Sequence, residues 1–170
     1  MSKACTYDKA DRLTSATIGQ NVFTYGFGAP NSSCNNLDGN NPSAAKSSNR
    51  TSYTLNGQTT TYCYNTGDQL ISSSDPRFSQ VDYDSHGNTT RLGDDTHKTE
   101  FGYDISDRNS GIKETTATSS RETTYERDVT NRTYHRTYKI DGTVNDNSYY
   151  GFTDSDDGPS FLKDANGRLS

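Results

Sequence analysis

The sequence predicts an all-β protein, built of repeated antiparallel β-hairpins of about 20 residues each that stack into a curved or spiralling sheet. Three observations carry that expectation. Only 27% of the 170 residues are hydrophobic, yet 12 are Tyr and 6 are Phe, and Thr is abundant beside them. Those residues favour strands, whereas disordered chains of low hydrophobicity are usually poor in aromatics. Aromatics also recur two apart, as Phe23, Tyr25 and Phe27, as Tyr62 and Tyr64, and as Phe101 and Tyr103. Residues two apart in a strand share a face, so each strand lays an aromatic row on one side. Finally, one seven-residue phrase recurs: Tyr-Asp, two free positions, Gly/Asp/Asn, Arg/Asn/Gln, then Leu/Thr.

Along the chain the phrase appears first as Tyr7-Asp8-Lys9-Ala10-Asp11-Arg12-Leu13. Tyr25, in Phe23-Thr24-Tyr25-Gly26-Phe27, supplies the anchor without the turn. A polar insertion over 28–48 follows, ending in a worn copy, Ala45-Lys46-Ser47-Ser48-Asn49-Arg50-Thr51. Asn56-Gly57 marks a two-residue hairpin between Thr- and Tyr-rich runs. Two full copies come next, Tyr64-Asn65-Thr66-Gly67-Asp68-Gln69-Leu70 and Tyr83-Asp84-Ser85-His86-Gly87-Asn88-Thr89. Tyr103-Asp104-Ile105-Ser106-Asp107-Arg108-Asn109 departs only at its last position. Arg127-Asp128-Val129-Thr130-Asn131-Arg132-Thr133 and Lys163-Asp164-Ala165-Asn166-Gly167-Arg168-Leu169 lose the tyrosine and keep the rest. Asp141-Gly142 marks another tight hairpin, and a degenerate copy is expected around Tyr149 and Tyr150. First positions at 7, 25, 45, 64, 83, 103, 127 and 163 are spaced 18, 20, 19, 19, 20, 24 and 36 apart. The period is about 20, and one array is expected over 1–170.

The phrase has a physical reading. Asp begins a tight turn, its carboxylate accepting from a backbone N–H two residues on. Gly, Asp or Asn at the fifth position tolerates a left-handed φ. Arg and Leu then open the return strand. A lone hairpin cannot bury its aromatic face, and stacked copies can. The tyrosines are thus read as packing residues.

Net charge is -5 with no basic cluster, which argues against a nucleic-acid or anionic-membrane partner. Mean hydropathy is -1.06, and no apolar run approaches the roughly 20 residues of a membrane span. Met1-Ser2-Lys3-Ala4 leads straight into polar sequence, so any export route is expected to lie outside these residues.

The phrase resembles that of the YD-repeat, or Rhs-repeat, family. The likeness rests on Tyr7 through Leu13, Tyr64 through Leu70, Tyr83 through Thr89 and Tyr103 through Arg108, fades between 134 and 162, and returns at Asp164 through Leu169. It implies a long β-sheet spiralling into a hollow shell within large secreted or cell-surface proteins, such as the shells of bacterial polymorphic toxins, toxin complexes and teneurins. Toxin-type shells often close with an Asp-Pro-x-Gly-Leu element. Asp75-Pro76-Arg77-Phe78 shares only its first two residues, so no self-cleaving activity is carried over.

A secreted family makes a bridge between Cys34 and Cys63 the expectation, with Cys5 left over. Such a bridge would tie down the polar insertion. His86, His97 and His135 lack ligand-like spacing, and Asp154-Ser155-Asp156-Asp157-Gly158 is only a faint calcium-loop pattern, read as an acidic turn. Sequons occur at Asn31, Asn49, Asn88 and Asn131, and the repeat itself explains most of them. No Gly-x-Ser-x-Gly elbow or partnered nucleophile is found. No enzyme, metal or cofactor is therefore expected.

Two functions fit. The preferred one is a scaffold segment of a secreted or surface YD-repeat protein, part of a hollow shell or tube wall. The other is an adhesion or carbohydrate-binding module presenting exposed Tyr, Asn and Asp side chains to glycans. The last phrase stops just after its turn and the first begins near residue 1, so uncapped ends are expected to pair with neighbouring repeats or with identical copies edge to edge. Eight repeats of two strands would make a sheet roughly 77 Å wide, which closes to a diameter of only ~24 Å.

Overall fold

A computed structural model describes residues 3–153, 158–164 and 166–169. It is all-β, with two antiparallel sheets of 6 and 8 strands. The acidic run Asp154 to Asp157, and with it the calcium-loop pattern, lies outside the described residues.

Two compact units divide the chain, Met1–Val81 and Asp82–Ser170. The sheet of the first unit contains β1 (Lys3–Tyr7), β2 (Leu13–Ile18), β3 (Asn21–Gly26), β4 (Ser52–Leu55), β5 (Gln58–Tyr64) and β6 (Leu70–Ser73), in sequence order. The other sheet contains β7 (Val81–Tyr83), β8 (Thr89–Gly93), β9 (Lys98–Tyr103), β10 (Asn109–Thr115), β11 (Ser120–Arg127), β12 (Thr133–Ile140), β13 (Thr143–Gly151) and β14 (Phe161–Lys163), again each beside the next. Among the described residues β6 ends one sheet and β7 begins the other. A 3-10 turn over Pro76–Phe78 stands between β6 and β7, begun by Asp75, whose side chain accepts from the Arg77 N–H.

The connections explain why neighbours in sequence are neighbours in the sheet. Asn56 and Gly57 take φ of 49° and 87°, and Asp141 and Gly142 take 49° and 79°. Two successive left-handed residues match the twist of the flanking strands, so Leu55 faces Gln58 and Ile140 faces Thr143 across two-residue loops. The longer connections are the Asp-led turns described below. They leave register shifts beside Tyr7, Tyr64 and Arg127, each at the base of such a turn.

The insertion runs between β3 and β4 and folds into two 3-10 segments, Ser32–Asn36 and Ala44–Ser47. It carries three of the few buried side chains, Cys34, Ala44 and Ala45. The worn copy at 45–51 forms no hairpin turn. Its left-handed residue is Ser48, at φ 68°, which ends the second 3-10 segment rather than turning a strand. The buried hydrophobic core is otherwise small, with Ala16, Cys63 and Val81.

Candidate functional site

Six connections share one construction. Asp8, Asp84, Asp104, Asp128, Asp164 and Asn65 each begin a five-residue turn, and the N–H of that first residue donates to the carbonyl of the fifth. The first side chain then turns back over the loop. Oδ1 of Asp8 accepts from the N–H groups of Ala10 at 2.8 Å and Arg12 at 3.0 Å. Asp104 does the same with Ser106 and Arg108, Asp128 with Thr130 and Arg132, and Asp84 with His86 and Asn88. In every case the fourth turn residue is left-handed: Asp11 at 58°, Asp68 at 60°, Gly87 at 89°, Asp107 at 59°, Asn131 at 72° and Gly167 at 80°. Gly67 is not one of them. It precedes the left-handed Asp68 and donates its N–H to Asn65 Oδ1 at 2.9 Å.

The construction also explains why Arg, Asn or Gln closes the phrase. The second carboxylate oxygen takes Nε of Arg12 at 2.8 Å, of Arg108 at 2.7 Å and of Arg132 at 3.0 Å, and Nδ2 of Asn88 at 3.0 Å. Where Asn65 replaces Asp, the pairing inverts: its Nδ2 donates to Gln69 Oε1 at 2.8 Å. The carboxyls of Asp8, Asp84, Asp104 and Asp128 are held below their ordinary range. For Asp8 the Arg12 guanidinium is the main cause, and for Asp84 it is the Asn88 amide. The Thr130 hydroxyl leads in bringing Asp128 down to about 2. At Asp104 partial desolvation pushes upward and the Arg108 and Ser106 N–H groups outweigh it.

Side chains also tie the Asn65 turn to the insertion, and the turns at Asp84, Asp104 and Asp128 to one another. Asn49 Nδ2 donates to Asp68 Oδ1 at 2.7 Å, Asn88 Nδ2 to Asp107 Oδ1 at 2.9 Å, and Arg108 to Asn131 Oδ1 at 2.6 Å. His86 adds a contact of 2.7 Å to Asp107, whose carboxylate is the main cause holding the imidazole pKa above its ordinary value. Where no such turn follows, the arginine meets a ring instead. Arg12 lies 4.3 Å over Phe27 and Arg132 4.3 Å over Phe152. All four sequon asparagines are thereby engaged, Asn31 by capping the first 3-10 segment and the others in these ties.

The aromatic rows lie where period-two alternation places them. Cross-strand register aligns Phe23 with Leu55 and Tyr25 with Tyr53. Ring centroids are 6.5 Å apart for Phe23 and Tyr53 and 5.7 Å for Tyr25 and Tyr53. Such pairs contribute about 0.5–1.5 kcal/mol beyond the area they bury. The rows are only partly covered. Nine of the 12 tyrosines are half-buried, and Tyr7, Tyr134 and Tyr149 are exposed. Cys63, between Tyr62 and Tyr64, is buried and bonded to Cys34, while Cys5 is free and exposed on β1.

The remaining phrase residues stand at the turn bases. Tyr103 Oη donates to the Thr89 carbonyl and Tyr64 Oη to that of Arg50, both at 3.0 Å, which binds each tyrosine to a neighbouring segment. Leu13 faces Tyr7 and Leu70 faces Tyr64 in the register, and Leu169 pairs with Lys163 across the last turn. Tyr83 is half-buried, and burial raises its hydroxyl pKa.

Two clusters escaped the sequence reading. On β11, β12 and β13, His135 stacks on Tyr149 at 4.2 Å and 6°, with Nδ1 2.9 Å from Glu126 Oε1 and Nε2 against Asn147 Oδ1. Tyr134 donates to the other Glu126 oxygen at 2.6 Å. Burial pulls the His135 pKa down, but acceptors at both ring nitrogens outweigh it and the net shift is upward. On the other face, Arg136 is paired with Asp146. Period-two spacing separates His135 from Arg136, but their partners lie on other strands. Among the described residues no three His, Cys, Asp or Glu side chains form a group able to hold a metal ion. No helix among them is long and apolar enough to cross a membrane.

Comparison with known protein families finds no match, and no curated protein matches the chain.

Proposed function

We propose that the chain is a structural scaffold, a segment of a secreted or cell-surface YD-repeat protein in which stacked hairpins make part of a shell or tube wall. The observation that carries this reading is the turn built six times from the same hydrogen bonds, with the turns at Asp84, Asp104 and Asp128 tied in succession by side chains. A construction that repeats without a distinct centre suits a wall rather than a catalytic pocket. The half-covered aromatic rows favour the same reading, since wall residues share their burial with whatever lies beside them. The Cys34–Cys63 bridge accords with an oxidising, extracellular setting. Its partners are neighbouring repeats of the same protein or identical copies meeting at strand edges. β1 is an outermost strand with all five residues exposed.

Sedimentation velocity over a wide dilution series, combined with hydrogen exchange, tests the proposal. Concentration-dependent association with slowed exchange in β1 is expected. A dilution-resistant monomer with slow exchange in β1 and β14 alike would overturn it, because neither edge would then need a partner.

A further inference from the structure

Arg127 stands at the first position of its phrase, where Tyr7, Tyr64, Tyr83 and Tyr103 stand in other copies. It takes over the structural task of the tyrosine. Tyr103 Oη donates to the carbonyl of Thr89, the last residue of the preceding phrase, at 3.0 Å. Arg127 Nη2 donates in the same way to the carbonyl of Asn109, the last residue of its own preceding phrase, at 2.9 Å. Its Nη1 donates to Oγ1 of Thr133, the residue it faces across β11 and β12, at 2.7 Å. Both acceptors are neutral, and the other N–H donors of the guanidinium remain. Among the described residues no carboxylate pairs with Arg127, whereas Arg132 has Asp128 and Arg136 has Asp146. A tyrosine makes the bond to the preceding phrase without a charge, so the cation is surplus to the fold.

That cation lines a cavity of about 520 Å³ in the second unit, together with Arg132 and the rings of Tyr125, Tyr150 and Phe152. The volume is that of a small-molecule site. All three rings are half-buried, and each keeps surface to offer. We propose that this cavity binds a flat aromatic monocarboxylate, its carboxylate taken by the Arg127 guanidinium and its ring lying against Tyr125, Tyr150 and Phe152. The planar fork of Arg matches a carboxylate in two parallel hydrogen bonds. One unmatched cation calls for one negative charge. A phosphate monoester would bring a second, and the cavity's other arginine, Arg132, is already paired with Asp128. An aliphatic acid would satisfy Arg127 but forgo the stacked and edge-to-face contacts that three rings provide. The net charge of -5 opposes general attraction of anions, so a preference for the acid reports this seat alone. The site goes beyond the scaffold reading and does not depend on it.

Arginine side-chain Nε–Hε signals of the whole chain, followed by NMR while trans-cinnamate, cinnamyl alcohol or acetate is added, test the proposal. Cinnamate is expected to shift the Arg127 signal. It should bind about tenfold or more tighter than cinnamyl alcohol, the step that one charge-assisted pair supplies. Arg127→Tyr installs the residue that other copies carry, keeps a donor for the Asn109 carbonyl and should bring the acid down to the affinity of the alcohol. If this variant fails to fold, the wild-type signals decide alone. Equal affinity for acid and alcohol, acetate acting as strongly as cinnamate, or an unchanged preference in Arg127→Tyr would overturn the assignment. So would an Arg127 signal that moves on joint Asp154→Asn, Asp156→Asn and Asp157→Asn substitution before any acid is added, the chain's own carboxylates then serving the arginine.

Discussion

Removal of the Cys34–Cys63 bridge gives the sharpest test of how the first unit is held. The bridge spans 29 residues and closes a loop that contains the insertion from Cys34 onward. That insertion has only two 3-10 segments, and few of its side chains are buried. The loop length corresponds to about 3.6 kcal/mol of lost loop-closure entropy in the unfolded chain. Cys34 is 0% and Cys63 3% exposed, so loss of their packed sulfurs acts in the same direction. For a unit of about 80 residues, each kcal/mol moves the midpoint by roughly 4–8 °C, so a fall of about 14–29 °C is expected. Differential scanning calorimetry of Cys34→Ala/Cys63→Ala against the wild type measures it. The fall should be confined to the transition of Met1–Val81, because the bridge closes no loop in Asp82–Ser170. Trypsin should also cut after Lys46 in the variant and spare it in the wild type. A shift of less than about 4 °C would refute the reasoning, since even one kcal/mol would exceed it.

Three further outcomes follow from the turns and clusters. Gly93 has φ +90° and an added Cβ would lie 2.1 Å from the His97 carbonyl oxygen, so Gly93→Ala should cost about 1–3 kcal/mol by urea unfolding of the second unit. The depressed carboxyls of Asp8, Asp84, Asp104 and Asp128 stabilise the fold above their unfolded values, and this contribution is lost as pH falls from about 4 towards 2. Circular dichroism across that window should show the loss, and Asp128→Asn should flatten its lower part. His135, raised in the fold, contributes stability that is complete below its ordinary value of 6.5 and is lost as pH rises through the folded value. An NMR titration should place it above 6.5, and Glu126→Gln should bring it down.

The turns were legible because they are local. In Asp8 to Arg12 each bond joins atoms at most four residues apart, so residue types at fixed spacing specify the geometry without help from the rest of the chain. In the Asn65 turn the left-handed residue is Asp68, the fifth position of the phrase, although its neighbour Gly67 has the more permissive backbone, because the side chain of Asn65 sets the loop. The same locality explains the one misplacement. At 45–51 the residue types imitate the phrase, but Lys46 stands where the other copies have Asp or Asn and has no side-chain oxygen to fold over the loop.

By itself, then, the sequence determined the all-β class, the positions of the six turns and the two tight hairpins, and which aromatics share a face. Each of these depends on residues within one strand or one loop. Only the tertiary structure decided that β6 ends one sheet and β7 begins the other, that Asn88 reaches Asp107 and Arg108 reaches Asn131, and that His135 meets Glu126, Asn147 and Tyr149. It alone showed that Arg136 has its carboxylate whereas Arg127 reaches the Asn109 carbonyl. Those contacts join residues 9 to 23 positions apart in the chain, and their distances are set by strand register, which a one-residue slip would change throughout.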